Sequence, residues 1–480
     1  MSKELLSLPA TRLIQMYKAH TLSPVEVTTA VLKRIAQLDP VFNAFCIVDE
    51  ESALASARAS EQRWLKGKPA GLVDGIPTTV KDLVLAKGWP TLRGSRTINP
   101  DQPWTEDGPP VARMREQGAV ILGKTTTPEF GWKGVTDSPL TGITRNPWNK
   151  DLTPGGSSGG AAVAAALGMG PLHVATDGGG SIRIPAAFCG VFGFKSTWGL
   201  VPVHPHSPAL SLWHQGPLTR TVGDAALMQT VIAQADKRDW YQTPMPGIDV
   251  RKNLEDGIKG WRIGFSLDLG YARVDPAVAR VIAQQIQRFT DLGAEVELID
   301  LKLEDPIAIM RPLWAVALAL AIAPMSAAQR ALVEPTMLEL AEPGFALSAL
   351  EYRSLERQRE ILGRQMTMLH QKYDLIITPQ MPITAFAAGH EVPPGGDYQR
   401  WWEWSPFTYP FNLTQQPTAT VPCGFVNGLP VAMQLIGAKF ADAKVLQAAR
   451  AFESLQPFMM PDAASLAANA EHSSALSTIL

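Results

Sequence analysis

The sequence predicts an α/β fold, a single large domain in which a mixed, twisted β-sheet is covered by helices on both faces. Three observations predict it. Residues 261–301 show the pattern of strand, helix and strand in series, a βαβ unit whose strands are parallel. The stretch "YDLIITP", residues 373–379, has the apolar run of a buried strand. Near the end, "TATVPCGF" and "LPVAMQLIG" flank Asn427-Gly428, a pair typical of an antiparallel hairpin, so the sheet is mixed.

Composition and charge exclude several classes of protein. Lys plus Arg number 43 and Asp plus Glu 45, a net charge of -2, and there is no basic stripe for a nucleic-acid backbone. The three cysteines form no CxxC pair, which favours a reducing cytoplasm. The N-terminus lacks the apolar core and cleavage site of a secretory signal. The strongest apolar run, residues 312–325, is bracketed by prolines and too short to cross a membrane, so it predicts a buried helix.

Taken in chain order, the elements divide the chain into three parts. Residues 1–60 are predicted to be an N-terminal helical segment packed on the core, with the capping box of Ser23, Pro24 and Glu26 opening a helix. Residues 61–460 form the α/β domain, with strands at "IPTTVKDLVL" and "GAVILGKT", a helix at "PPVARMREQG" between them, and a variable helical insertion at about 305–370. Residues 461–480 are predicted to be a C-terminal surface tail.

Three short motifs match known patterns but lack the surroundings that those patterns need. "GAVILGKT", residues 118–125, matches a P-loop, yet its middle residues are those of a strand and no helix begins at the lysine. "GSSGG", residues 156–160, matches a nucleophile elbow at Ser158, yet no buried strand precedes it. "HPH" at 204–206, with His214 nearby, has no further ligand at metal-site spacing, so a surface loop is the favoured interpretation and no metal is predicted.

Two clusters of glycine and serine point to an active site. "TPGGSSGGAAV", residues 153–163, and "TDGGGSIRIPAA", residues 176–187, are separated by an Ala-rich helix pattern and a short strand pattern, so both lie at the ends of packed elements. Three consecutive glycines can turn several N–H groups toward one point without a Cβ clash, which suits an oxyanion hole beside a nucleophile. The alternative for either cluster alone is an ordinary glycine turn with capping serines.

A serine nucleophile needs a base, and Lys81 is the candidate. "GIPTTVKDLVL" places its ammonium in a strand among Val80, Leu83 and Val84, where desolvation should lower the lysine pKa. The alternative is a lysine at a strand end that reaches water or pairs with Asp82.

Five motifs in order resemble those of the amidase signature family. They are "GIPTTVKD", "GAVILGKTTTPEF", "NPWNKDLTPGGSSGG", "TDGGGSIRIPAAFCGVFGFKST" and "GPLTRTVGDAALM", and the likeness extends from about residue 5 to 455. The resemblance implies the fold of that family and a Ser-Ser-Lys triad with Ser181 as nucleophile, Ser158 as bridging serine after a cis peptide bond, and Lys81 as base.

The resemblance also implies the residues around the triad. It places the oxyanion hole at the backbone N–H groups of Gly178, Gly179, Gly180 and Ser181. Ser157, Asp177 and Arg183 are supporting residues, the last two either bracing the loop as an ion pair or lying exposed at the surface.

The predicted function is hydrolysis of C–N amide bonds through an acyl-Ser181 intermediate, without metal or cofactor. Two alternatives stay open: the glutaminase component of a tRNA-dependent amidotransferase, and an inert amidase-like binding subunit. The partner is a small-molecule amide or carbamate, and a homodimer also stays open.

Aromatic and apolar residues in the variable region indicate apolar or aryl amides as substrates, with carbamates and esters as further possibilities because they present a similar carbonyl. The candidate pocket residues are Trp314, Leu318, Trp401, Trp402 and Trp404, and packing in the core is an equally weighted alternative for them.

Overall fold

The computed structural model describes residues 2–243, 248–463 and 466, so most of the predicted tail lies outside the described residues. Its helices are α1 Ser2–Ser7, α2 Ala10–Lys18, α3 Pro24–Phe42, α4 Glu50–Leu65, α5 Pro109–Glu116, α6 Gly159–Ala166, α7 Arg183–Cys189, α8 Val222–Ile232, α9 Pro276–Asp291, α10 Ile307–Ile322, α11 Ala327–Arg330, α12 Pro335–Ala346, α13 Ala349–Leu369, α14 Pro410–Leu413 and α15 Asp442–Leu455. Its strands are β1 Phe45–Val48, β2 Pro77–Lys81, β3 Val120–Thr125, β4 Asp137–Ser138, β5 Gly142–Ile143, β6 Leu172–Asp177, β7 Phe192–Lys195, β8 His214–Thr219, β9 Arg262–Phe265, β10 Glu295–Leu298, β11 Leu375–Pro379, β12 Thr418–Val426 and β13 Leu429–Gly437.

One mixed sheet organises the molecule, as the sequence predicts. Eleven strands follow the order β1-β3-β2-β6-β8-β7-β12-β13-β11-β9-β10, and β4 pairs with β5 separately. β2 runs parallel to both β3 and β6, whereas β6 and β8 are antiparallel. The predicted fold class, a single domain with a mixed sheet and helices, is confirmed.

The elements with the clearest sequence signals form where they are predicted. Ser23 caps α3 with a capping box, because its side chain accepts N–H groups of the first turn while Glu26 accepts the Ser23 N–H. β9, α9 and β10 make the predicted βαβ unit with parallel strands, and β12 and β13 form the predicted antiparallel hairpin. "GAVILGKT" forms the buried strand β3, not a phosphate-binding loop.

The N-terminal segment and the variable helical region are both packed on the sheet domain. The N-terminal segment contributes strand β1, which pairs antiparallel with β3 and so joins the sheet. The variable region after β10 consists of α10 to α13, and α10 carries the apolar run as a largely buried helix. Within the described residues, the helices fall short of the length and apolar character that a bilayer crossing requires.

The strand directions place the two glycine-serine clusters together. β2 and β6 are parallel neighbours, so their carboxyl ends meet at the same edge of the sheet. The first cluster leads into α6, which packs on the sheet, and the second connects the end of β6 to α7. This edge is where a site built from both clusters has to lie.

Candidate active site

The predicted catalytic residues converge at this edge. Lys81 is the last residue of β2, Ser157 and Ser158 precede α6, and Ser181 lies between β6 and α7. The Ser158 N–H donates to the Ser181 carbonyl at 3.1 Å, which ties one cluster directly to the other. The sequence left open whether each cluster is part of an active site or an ordinary glycine turn. The hydrogen bond between the clusters favours the active site, because neither cluster is an independent turn.

Lys81 is fully buried and surrounded by hydroxyl groups. Its Nζ lies 2.6 Å from Ser157 Oγ, 2.9 Å from Ser158 Oγ and 3.0 Å from Thr176 Oγ1. The alternative pairing with Asp82 does not occur, since Asp82 Oδ1 lies 2.8 Å from Lys124 Nζ. Lys81 therefore neither reaches water nor forms the ion pair that would hold its charge.

Burial lowers the pKa of Lys81 well below its ordinary value. Desolvation is the dominant cause, and the charge of Asp177 opposes it only in part. The three neighbouring hydroxyl groups carry no charge, so none of them pairs with the ammonium form as a carboxylate would. A neutral amine at this position can accept a proton, which is what the predicted base has to do.

The two neighbouring serines have different hydrogen bonds. Ser158 Oγ donates to the Thr176 carbonyl at 3.1 Å and also contacts the Thr176 N–H at 3.4 Å. Ser157 Oγ contacts Lys81 and has no other hydrogen-bond partner among the described residues.

The expected position of the cis peptide bond was wrong by one residue. The non-proline cis bond joins Gly156 to Ser157, not Ser157 to Ser158. Two consecutive serines in one motif leave the sequence without a local signal that separates them.

The glycine loop offers fewer free N–H groups than expected. The Gly180 N–H donates to Asp177 Oδ1 at 2.8 Å, so this predicted oxyanion donor is already engaged. In the described part of the chain, the N–H groups of Gly178, Gly179 and Ser181 have no acceptor. Ser181 itself is 8% exposed and thus accessible from one side.

Close packing explains why the loop is made of glycines. A Cβ on Gly179 would lie 2.7 Å from the Trp401 ring, and one on Gly180 would lie 2.7 Å from Thr408 Cβ. Gly180 also has a φ of +133°, which side-chain-bearing residues rarely adopt. The loop therefore lies directly under side chains that come from distant parts of the chain.

Asp177 and Arg183 form a fully buried ion pair that braces the loop. Arg183 Nε and Nη2 each lie 2.9 Å from an oxygen of the Asp177 carboxylate. Burial alone would raise the pKa of Asp177, but the Arg183 guanidinium beside it holds the pKa well below its usual range. Arg183 also donates to the Thr408 carbonyl and to Asn412 Oδ1, so the pair connects the loop to α14. The alternative of surface exposure does not apply.

A cavity of about 110 Å³ is lined by part of the predicted pocket, and two of its lining side chains contact the glycine loop. Trp314 and Leu318 of α10 line it together with Trp213. A Cβ on Gly178 would lie 3.1 Å from the Trp314 ring and 3.4 Å from the Trp213 ring, so two walls of the cavity touch the loop. The wall formed by Leu83 lies on the side of the serines, because a Cβ on Gly131 would lie 2.7 Å from Leu83 Cδ1 and 3.1 Å from Ser157 Oγ.

The other predicted pocket residues do not line this cavity. Trp401 packs its ring over Gly179 and against Trp314, with ring centroids 5.8 Å apart. Trp402 packs behind it, and the Arg311 guanidinium lies over the Trp402 ring. Trp404 is fully buried, stacked on Phe188 of α7 at 5.9 Å. For Trp402 and Trp404 the core alternative applies, because the apolar face of α7 and the Trp401 ring have to be covered.

The "HPH" histidines each face a carboxylate. His204 Nε2 lies 3.5 Å from Glu106 Oε2, and His206 Nε2 lies 2.8 Å from Asp239 Oδ1. His214 instead contacts Lys195 and the Leu212 carbonyl. Across the residues that the structure describes, no group of three His, Cys, Asp or Glu side chains is placed to hold a metal ion.

Sequence reasoning missed Thr176, Trp213 and Gln215. Thr176 is the third hydroxyl on Lys81, and its position next to Asp177 at the end of β6 was the available signal. Trp213 and Gln215 flank the cavity from the start of β8, a strand interrupted by Gly216 and Pro217 that carries little strand signal.

Comparisons with known proteins show the family of the chain. The model of the Amidase family matches residues 26–446. An acylamidase of Rhodococcus erythropolis is 32% identical over 94% of this chain and 96% of its own. The A subunit of the glutamyl-tRNA(Gln) amidotransferase of Symbiobacterium thermophilum is 34% identical over 93% of this chain and 96% of its own. A bacterial aryl acylamidase of known structure superposes with a TM-score of 0.88 at 30% identity, covering 96% of this chain and 98% of that one.

The fold and the matched motifs define an amide hydrolase. The chain belongs to the amidase signature family, as the resemblance of its motifs implied.

Proposed function

We propose that the protein hydrolyses aryl and apolar amides through an acyl-Ser181 intermediate, with Lys81 as the base and Ser157 as the relay between them. One observation carries this proposal: a buried lysine of lowered pKa has its Nζ 2.6 Å from a serine hydroxyl that has no other partner among the described residues. Because its pKa is lowered, this lysine is uncharged over a wider pH range than a free lysine, and in the proposed mechanism the Ser157 hydroxyl connects it to the nucleophile.

Hydrogen-bond counting favours Ser157 over Ser158 as the relay. A neutral amine has two N–H donors and one lone pair, and Lys81 Nζ has three hydroxyl neighbours. The Ser158 hydroxyl donates its hydrogen bond to the Thr176 carbonyl, so toward Lys81 it can only act as an acceptor. Ser157 has no competing acceptor in the described part of the chain, so its proton is free to point to the lone pair. The proposal therefore moves the bridging role from Ser158 to Ser157 and leaves Ser158 as a support that orients the amine.

The reaction follows in two halves. Ser181 Oγ bonds to the amide carbon while its proton passes to Ser157 and the Ser157 proton passes to Lys81. The oxygen of the tetrahedral intermediate accepts N–H groups of the glycine loop, with Gly178, Gly179 and Ser181 as the free donors of the described loop. The C–N bond then breaks, and the proton returns to the leaving nitrogen. Water next attacks the acyl-Ser181 ester and gives its proton to the same relay, the ester C–O bond breaks to release the acid, and Ser181 Oγ takes the proton back.

The cavity beside the loop supports an apolar substrate group. Its walls include Leu83, Trp213, Trp314 and Leu318, and a dry apolar cavity of about 150 Å³ in another protein holds benzene. At about 110 Å³ the present cavity suits a single small ring or a short chain. Two relatives are named for acylamidase or aryl acylamidase activity, which fits this substrate class. Carbamates and esters of the same shape place an equivalent carbonyl at Ser181 and are further substrates.

A glutaminase role is the second candidate, because relatives that are amidotransferase A subunits match nearly the whole chain. The cavity argues against it. No Asp or Glu is found among the described residues that line the cavity, so the ammonium group of glutamine would have no counter-ion there.

Trapping the covalent intermediate tests the proposal. A p-nitrophenyl ester and a p-nitroanilide of the same aryl acid are mixed with the purified protein, and the acid-quenched peptides are analysed by mass spectrometry. We expect the acyl mass on the peptide that carries Ser181, and its absence in Ser181→Ala. Turnover that persists in a folded Ser181→Ala protein, or an acyl group on another residue, would refute the mechanism.

A further inference from the structure

The cavity beside the glycine loop contains one cationic side chain that the proposed reaction does not use. Arg93 lines it together with Leu83, Phe130 and Trp314. The residue is half-buried, and its backbone is held beside Phe130, whose N–H donates to the Arg93 carbonyl at 2.7 Å. Arg93 thus lines the same cavity as the apolar side chains that would receive the substrate.

Within the part of the chain that the structure describes, no hydrogen bond or ion pair engages the Arg93 guanidinium. Asp82 is the carboxylate that acts on it electrostatically, but Asp82 is paired with Lys124 Nζ at 2.8 Å and accepts the Gly94 N–H. Burial lowers the pKa of Arg93, yet a guanidinium stays charged at any physiological pH. An unpaired charge in a half-buried position calls for a counter-ion.

The remaining polar groups of the cavity do not supply that counter-ion. The other titratable residues of the described lining, His204 and His206, are themselves held by Glu106 and Asp239. Gln215 also lines the cavity, and its buried Oε1 has no hydrogen-bond partner among the described residues. A side-chain amide can present either its oxygen or its NH₂ group to a ligand by rotating half a turn.

We propose that Arg93 forms an anion subsite in this cavity, where it binds the carboxylate of a monoanionic amide substrate. The guanidinium pairs with the carboxylate oxygens, Gln215 supplies a further hydrogen bond, and the apolar walls hold the ring or chain between this anion and the scissile carbonyl. That the occupant is part of the substrate rests on the proposed amide hydrolysis. A zwitterion such as glutamine is disfavoured, because its ammonium group would lie near Arg93 with no carboxylate in the described lining.

Binding to an inactive protein tests the subsite without turnover. In the Ser181→Ala background, we expect benzoate to bind at least about tenfold more tightly than benzamide, its neutral analogue of similar shape, in isothermal titration calorimetry. Adding Arg93→Gln should weaken benzoate binding by about tenfold or more and change benzamide binding by less than about threefold. Arg93→Lys, which keeps the charge but not the planar fork, should retain part of the preference.

Arg96→Gln is the matched control, because Arg96 lies three positions away in the same loop and is exposed. It should leave the preference for benzoate unchanged. Equal affinities for benzoate and benzamide, or a preference that survives Arg93→Gln in a protein with an unchanged melting temperature, would overturn the subsite.

Turnover by the active protein then distinguishes the side of the substrate that carries the anion. Aniline release from glutaranilate is compared with release from its primary amide, and hydrolysis of 4-acetamidobenzoate with that of 4-acetamidobenzamide. We expect kcat/KM to favour the carboxylate in one of the two pairs by about tenfold, and Arg93→Gln to remove that preference. Benzoate binding without any amide hydrolysis would refute the proposed function alone, whereas hydrolysis with no preference for a carboxylate in either pair would refute the subsite alone.

Discussion

At the scale of single residues, the two adjacent serines differ in their hydrogen bonds, and this difference favours Ser157 as the proton relay and Ser158 as a support. Ser157 and Ser158 both contact Lys81, but only Ser158 also donates to a backbone carbonyl of the described chain. The sequence predicted Lys81 and Ser181 from their surroundings and their motifs. It gave the bridging role to Ser158, whereas the hydrogen bonds favour Ser157, because Ser158 donates to the carbonyl of Thr176, a residue of β6 that is distant in the sequence.

The first prediction uses that difference. Ser157→Ala should lower kcat by several orders of magnitude, because it removes the hydroxyl whose proton can move to Lys81. Ser158→Ala removes a hydrogen bond that orients the amine and should lower kcat by a smaller factor, about 10- to 100-fold. The measurement is kcat on one p-nitroanilide for both variants, with circular dichroism to verify folding. The reverse order of severity would return the bridging role to Ser158.

The second prediction concerns pH. Because burial lowers the pKa of Lys81, its neutral fraction in the free enzyme grows as pH rises through a value well below that of a free lysine. The base has to be neutral, so kcat/KM should rise with pH along a single limb and remain high in the alkaline range. A pH profile of kcat/KM on a neutral anilide measures this. A bell centred near pH 6 would instead indicate a histidine base.

At the scale of elements, the buried ion pair of Asp177 and Arg183 fastens the glycine loop between β6 and α7. Asp177 also accepts the Gly180 N–H and a hydrogen bond from Asn412, so one carboxylate fixes the loop from both sides. An Asp side chain that accepts a backbone N–H a few positions later is a common local turn. The position of Asp177 three residues before Gly180 therefore indicated that the Gly180 N–H would donate to the Asp177 side chain, although the three glycines were interpreted as donors to the oxyanion.

The third prediction follows from this pair. Arg183→Met should lower the free energy of unfolding by about 3–5 kcal/mol, because it leaves the Asp177 carboxylate buried without its counter-ion. It should also lower kcat, since the loop that carries Ser181 loses its fastening to α14. Urea unfolding followed by tryptophan fluorescence measures the first effect.

Its control is Lys444→Met, which breaks an ion pair with Asp374 at 2.9 Å between side chains that are 52% and 33% exposed. This variant should leave the urea midpoint unchanged within error, as expected of surface pairs. An Arg183→Met protein as stable as the wild type would show that the pair does not hold the loop.

Strands differ in how far the sequence predicts them. β3, β11 and the hairpin of β12 and β13 carry runs of β-branched and apolar residues, and each forms as predicted. β2 forms too, but it ends at Lys81, whereas the predicted strand continued to Leu85. β8 lies between β6 and β7 in the middle of the sheet although it contains Gly216 and Pro217. Its conformation comes from pairing with both neighbours, which local propensity does not reveal.

At the scale of the whole molecule, the site forms where the sheet and the helices after β10 meet. The sheet supplies Lys81 and carries the glycine loop, while α10 supplies Trp314 and Leu318, which line the neighbouring cavity. The order of the motifs along the chain was enough to predict the family, the fold class and amide hydrolysis. Which aromatic side chains face the cavity depends on how α10 and the segment before α14 pack, so the sequence left Trp401, Trp402 and Trp404 undecided between pocket and core.

The last prediction concerns the substrates that fit the cavity lined by α10. An anilide ring can fill the space between Trp213, Trp314 and Leu318, whereas acetamide leaves that space empty and glutamine brings an ammonium group to a described lining without an acidic residue. Filling one or two methylene-sized contacts is worth about tenfold or more in kcat/KM. The purified single chain should therefore hydrolyse an anilide with a kcat/KM at least about tenfold above that for acetamide or glutamine. Trp314→Ala should lower the rate on the anilide more than the rate on acetamide, because only the larger substrate contacts the removed ring. Comparable rates on glutamine and the anilide would contradict the cavity as the substrate site and would make the glutaminase role the better account of this chain.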